Sequence, residues 1–133
     1  LCVRDVDVFK RFEDISVGLS ITTDDDTTRR RFEPHAPPIE ARVEALWTLH
    51  REGVPTYAFV GPLLPMDPAR LVEMIGDAAD EVLVDRMNYA GKVVTGYRKA
   101  GLERYLEDEW FERAAAELKR GFERKGVPVE VLF

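Results

Sequence analysis

One thiol, two separated imidazoles and a run of three carboxylates are the residues of this chain closest to chemistry, and their spacing removes most of what they offer. Cys2 is the only cysteine among 133 residues. It cannot close an intramolecular disulfide, and a zinc or iron–sulfur centre usually takes three or four protein ligands. His35 and His50 have no second imidazole or thiolate at ligand spacing. Asp24, Asp25 and Asp26 offer the oxygens that hard cations prefer, but consecutive side chains diverge, and the spaced ligands and glycine of a calcium loop are missing. They read as the solvated start of a helix. Arg29, Arg30 and Arg31 form the one basic run, and beside those aspartates they make a self-neutralising face. Residue types alone assign no metal site and no catalytic group.

The remaining candidates stand at the ends of apolar runs, so the elements that hold them come next. Residues 3 to 13 place apolar side chains at helical spacing and predict a short amphipathic helix. Ile15 to Thr22, reading ISVGLSIT, predicts a buried strand with Ser20 and Thr22 near its exit. The aspartates then open a short helix through Arg31, which Pro34, Pro37 and Pro38 break. A second helix starts at Pro38, carries Ile39, Val43, Leu46, Trp47 and His50 on one face, and ends at Gly53. Thr56 to Leu64, reading TYAFVGPLL, predicts a strand buried on both faces. A third helix runs from Asp67 or Pro68 through Ala79, and Glu81 to Asp85 is another strand. Asp85, Arg86, Asn88 and Tyr89 follow it at the end where α/β proteins place ligand contacts, and the first three are the substrate-side candidates. A long helical segment reaches about Lys125, with Trp110, Phe111, Ala114, Leu118 and Phe122 at core spacing, and Val127 to Phe133 is a possible last strand.

This alternation predicts an α/β domain of parallel βα units covered on both faces, either a small open sheet or about half of an eight-stranded barrel. One domain spans 1–133, with βα units over 1–90 and C-terminal helices over 91–133. No Gly-rich phosphate loop follows a strand, which weakens a flavodoxin-like ligand binder. The formal net charge of -6 repels phosphate backbones, so nucleic-acid binding has no support in the global field. No apolar run is long enough to span a bilayer and no secretory leader pattern opens the chain, so a cytoplasmic location is expected.

Four pieces of the sequence together resemble the spore photoproduct lyase-like branch of the radical S-adenosylmethionine superfamily. They are VRDVDVFKRF at 3–12, SVGLSITT at 16–23, RRFEPHAPPIEARVEAL at 30–46 and LHREGVPTYAFVGPLLP at 49–65, and EVLVDRMNY at 81–89 continues them. The resemblance covers roughly the first two thirds of the chain. It implies an enzyme in which a four-iron four-sulfur cluster, held by three cysteines in a CxxxCxxC-type motif, cleaves S-adenosylmethionine to a 5′-deoxyadenosyl radical. That motif is missing from this sequence. Leu1 is followed at once by the pattern Val3, Val6, Val8, Phe9 and Phe12, which reads as the middle of a fold, so a segment of a longer protein is expected, inactive alone. The alternative is a non-enzymatic binding or interaction module derived from such a barrel.

By the same resemblance, Ser20 and Thr22 would hydrogen-bond the amino acid or ribose end of S-adenosylmethionine. Against that, strand-end hydroxyls more often satisfy nearby backbone groups. Tyr57, Gly61 and Pro62 would lie against its adenine, as would Phe59, although such residues are more often core. Arg42 and Glu33 would pair and pin the loop over the site, where an exposed pair would be worth only about 0 to 1 kcal/mol. The partner implied is the missing N-terminal half of the barrel. Two uncovered sheet edges would otherwise favour a homodimer, or a covering by the C-terminal helix and last strand.

Overall fold

Apolar runs flanked by turn formers become four parallel strands in the computed structural model, which describes residues 2–86 and 90–133. The strands β1 (Val17–Ser20), β2 (Thr56–Val60), β3 (Glu81–Val84) and β4 (Val129–Val131) lie side by side in sequence order. Between and before them come α1 (Val6–Phe9), α2 (Asp26–Phe32), α3 (Ile39–Arg51), α4 (Pro68–Ile75), α5 (Ala90–Ala100) and α6 (Asp108–Arg124), with tight turns of helix at Cys2–Asp5 and Glu103–Leu106. The α/β class and the small open parallel sheet expected from the alternation are both present.

Local chemistry sets the boundaries. Asp25 caps α2 by accepting the Thr28 N–H at 2.9 Å, and Asp67 caps α4 ahead of Pro68 at its first position. Gly53, with φ of 76°, turns the chain after α3 as expected, and Gly76, with φ of 56°, ends α4 well short of Ala79. The long helical segment is two helices, because the chain turns at Gly101 with φ of 67°. The strands are shorter than their apolar runs. β2 stops at Val60 ahead of the cis Gly61–Pro62 bond, and the residues beyond it serve the core from a loop.

The expected cover on both faces of the sheet is corrected by the structure. Thr56, Ala58, Val60, Val82 and Val84 point to one face and are fully or almost fully buried, beneath a layer in which α3, α4 and α6 pack in order. Trp47 of α3 donates its indole N–H to the Met74 carbonyl of α4 at 3.1 Å, and Gly121 of α6 lets Val72 of α4 approach closely. Right-handed crossovers that always step to the next strand in the same direction put their helices on the same side. The other face carries Gly18 and Ser20 of β1, Tyr57 and Phe59 of β2, Glu81 and Leu83 of β3, and Glu130 of β4. All seven are half-buried or exposed, and Tyr57, Phe59 and Leu83 stay outside the hydrophobic core. Their apolar character made these strands read as doubly covered.

Candidate functional site

The C-terminal ends of the strands are stitched together by buried polar groups. Arg42, near the start of α3 and almost wholly buried, reaches three elements at once. It donates to the Ser20 carbonyl at the end of β1 at 3.1 Å, to the Pro37 carbonyl at 2.9 Å and to Glu33 Oε2 at 3.1 Å. The Thr22 hydroxyl donates to that same Glu33 oxygen at 2.7 Å. Next along the chain, the Thr23 hydroxyl donates to the Pro65 carbonyl at 2.8 Å, and the Asp67 N–H donates to Asp24 at 2.8 Å. The loops after β1 and β2 are thereby fixed to each other and to the turn before α3.

This geometry separates the two hydroxyls expected to act together. The strand ends at Ser20, so the period of two does not carry on to Thr22. Ser20 is exposed on the open face and its hydroxyl makes no hydrogen bond among the described residues, whereas Thr22 is fully buried with its hydroxyl engaged by Glu33. Glu33 and Arg42 form a pair whose guanidinium side chain is only 9% exposed, well removed from a solvated surface contact.

On β2, each aromatic of the open face lies over a glycine. The Tyr57 ring occupies the space that a side chain at Gly18 would need, and the Phe59 ring comes within 2.7 Å of where a Gly61 methyl would be. The close approach that Gly61 permits is therefore taken by Phe59. Pro62 follows in the cis bond and leads into Leu63 and Leu64, which are core. At the exit of β3, Arg86 pairs with Asp108 and lies over the Phe111 ring, 5.0 Å from its centroid, and over Phe133 at 5.9 Å. Asp85 accepts from the Arg86 N–H at 2.8 Å. Asn88 lies outside the described residues.

Among the described residues, shifted groups stand at the start of α2 and on α5. Hydrogen bonds from Arg29 lead the causes that hold the Asp26 carboxyl down to about 2, with the Ile39 N–H also donating to it. Burial would raise the Asp25 carboxyl, but its hydrogen bonds from Thr28 outweigh this and lower it. Burial pushes the Tyr97 hydroxyl of α5 up to about 12. Its ring stacks on Phe32 with centroids 4.4 Å apart, and its buried oxygen has no hydrogen-bond partner among the described residues. Between the starts of α4 and α6, a groove of about 360 Å³ mixes Arg104 and Arg113 with Glu107, Glu109 and Glu117, which selects neither sign of charge.

Among the described residues no three His, Cys, Asp or Glu side chains stand together as a metal site, and Cys2 packs against the small cluster of Val6, Leu49 and Val54. The residues of this chain do not fit an iron–sulfur cluster. No described helix is long and apolar enough to cross a membrane. Sequence reading missed Gly18, Glu81, Leu83 and Glu130 as members of the open face. The signal was present in the alternation of EVLV and VEV, where one set of positions is uniformly valine.

The comparisons with known proteins are narrow. A stretch of 65 residues is 42% identical to the uncharacterized protein MJ0683 of Methanocaldococcus jannaschii, covering 49% of this chain and 25% of that protein. No family model matches the sequence. No solved structure matches it.

Proposed function

We propose that this chain forms the later strands of a radical S-adenosylmethionine barrel and contributes one wall of the cofactor pocket, with the cluster thiolates supplied by residues outside this sequence. The observation that carries the reading is the open face. Four parallel strands in consecutive order, with α3, α4 and α6 packed on one side and an aromatic, partly apolar face on the other, agree with the layout of half a barrel wall. The order of the SVGLSITT, EPHAPPIEAR and TYAFVGPLLP segments agrees with it.

In this reading the bound cofactor supplies the homolytic chemistry, and the chain supplies position. Ser20 offers a free hydroxyl at the exit of β1, and Phe59 offers a ring at the same level of β2 for a planar group to pack on. Arg42 and Glu33 hold the loop behind Ser20 in place, with Thr22 part of that brace. Asp85 and Arg86, at the exit of β3, are the substrate-side candidates. The second reading, a binding or interaction module without radical chemistry, is favoured by the engagement of Thr22 in the brace.

The test is formation of 5′-deoxyadenosine from S-adenosylmethionine by the gene product that carries this sequence, under anaerobic reducing conditions, with iron and sulfide measured in the same sample. Formation that falls at least tenfold in Ser20→Ala, a loss of about 1.4 kcal/mol, supports the proposal. A folded gene product that contains neither iron nor sulfide and releases no 5′-deoxyadenosine sinks it and leaves the binding module.

A further inference from the structure

Each step from one strand to the next needs one helix, and α3, α4 and α6 supply them as a layer on the sheet. α2 and α5 are additional, and each comes between a strand exit and the crossover helix, α2 after β1 and α5 after β3. Phe32 closes α2 beside Glu33, which holds Thr22 just past the end of β1, and Tyr97 of α5 stacks on that Phe32 ring at 4.4 Å. α5 therefore reaches from the exit of β3 to that of β1, past the exit of β2 between them.

The two additional helices are held very differently. Arg29 donates to Asp26 and to the Ala36 carbonyl, and Asp26 accepts the Ile39 N–H, so α2 is fastened to the start of α3. On α5, Tyr97 is the one described side chain that is fully buried, while Thr95, Gly96, Arg98 and Lys99 are exposed. The helix is also weak in itself. Val93, Val94 and Thr95 are consecutive β-branched residues, and Gly96 follows them. Among the described residues nothing stands within 4 Å of where a Gly96 methyl would be, so packing gives no reason for that glycine. A helix of 11 residues with this composition has little stability alone in water. Its anchor carries a cost of its own, since the buried Tyr97 hydroxyl has no hydrogen-bond partner among the described residues and would regain partners in water.

We propose that α5 is a lid on the exit end of the sheet, latched by Tyr97 against Phe32, and that it opens by local unfolding while the sheet, α2 and the layer of α3, α4 and α6 stay folded. The ring of Tyr97 holds the lid shut, and its hydroxyl keeps that hold weak. Gly101, with φ of 67° and open space around it, ends α5 and gives the moving segment a flexible boundary. Strand exits are where parallel α/β sheets bind ligands, and lids over such sites are drawn from the least stable parts of a fold. The inference takes the exits as the ligand end of the sheet, as both readings of the function do, and it does not involve the cofactor.

Amide hydrogen exchange of the intact chain, read by segment, tests this. In the wild type the α5 amides are expected to exchange at least about tenfold faster than those of α6, at a rate that urea below the global transition leaves unchanged. Tyr97→Ala releases the latch and is expected to speed α5 by a further factor of at least about ten, with α6 and the strands unchanged. Tyr97→Phe keeps the ring and removes the unpartnered hydroxyl, so α5 is expected to slow at least about threefold. Gly96→Ala strengthens the helix without touching the latch and is expected to slow α5 about fivefold. Wild-type α5 and α6 exchanging together, with the same response to urea, would make α5 part of the cooperative core and overturn the lid. Tyr97→Ala speeding every segment equally would do the same. Faster exchange of α5 in Tyr97→Phe would mean that the hydroxyl has a partner in the closed state, and the weak latch would be overturned. No cofactor enters these measurements, so they hold or fail independently of 5′-deoxyadenosine formation.

Discussion

The two faces of the sheet are built from alternate residues of the same strands, yet one is sealed and the other is not. On the helix side, Ala58, Val60, Val82 and Val84 are inaccessible, and the layer above them contains Phe111, Leu118 and Phe122 with no exposure. On the open side, Tyr57, Phe59 and Leu83 are half-buried, Ser20, Glu81 and Glu130 are exposed, and the side chains of the last three make no hydrogen bond or ion pair among the described residues. Free energy of folding comes from the first face. The second holds groups that folding does not use, and unused groups on a rigid sheet are available for binding.

The largest expected effect tests the sealed side of this contrast. Phe122→Ala removes a fully buried ring from α6 and leaves a cavity against the sheet, so a loss of about 3 to 5 kcal/mol is expected by urea denaturation. Phe59→Ala on the open face is expected to cost clearly less, since its ring lies outside the core. Equal losses at the two positions would mean that the open face is part of the folding core, and the contrast between the faces would collapse.

Between the two faces, at the exit of β1, stands the brace. Arg42→Ala takes the guanidinium from the Ser20 and Pro37 carbonyls and leaves Glu33 with Thr22 as its donor, and a loss of about 3 kcal/mol is expected, in the range for breaking a buried pair from one side. Glu33→Gln keeps an acceptor for Thr22 and Arg42 and is expected to cost less than half as much. A pair contributing only as a surface contact would show less than about 1 kcal/mol in either variant, and the brace would then have no part in holding Ser20.

The sequence makes the elements legible because caps and stops are local. Asp25, Asp67, Pro68 and Gly53 act on residues within one turn of themselves, and each stands where such chemistry is expected. The Glu33–Arg42 pair was legible as two residues nine apart, but the reach of Arg42 to the Ser20 carbonyl depends on how α3 packs on β1. The sidedness of the sheet was hidden by composition. Tyr57, Phe59 and Leu83 are as apolar as the valines between them, and only strand order and crossover hand decide which set the helices cover. The fate of Thr22 was hidden for a related reason, since a strand that ends one residue past Leu19 cancels the period of two that the run ISVGLSIT carries on to Thr22.

The smallest expected effect probes how the open face keeps its shape. Tyr57 lies across β1 only because position 18 has no side chain, so Gly18→Ala drives a methyl into the ring and forces it away from the sheet. The strand conformation suits alanine, and removing a glycine also restrains the unfolded chain by roughly 0.4 to 1 kcal/mol, which opposes the clash. A net loss of about 1 to 2 kcal/mol is expected in the wild-type background, from a clash of about 1 to 3 kcal/mol. In a Tyr57→Ala background the ring is gone, and the same substitution is expected to become neutral or slightly stabilising. That coupling, measured as a double-mutant cycle by thermal melts, isolates the ring from every other change. An equal loss in both backgrounds would place the cost in the β1 backbone, and the open face would then have no preformed aromatic surface to offer a partner or a cofactor.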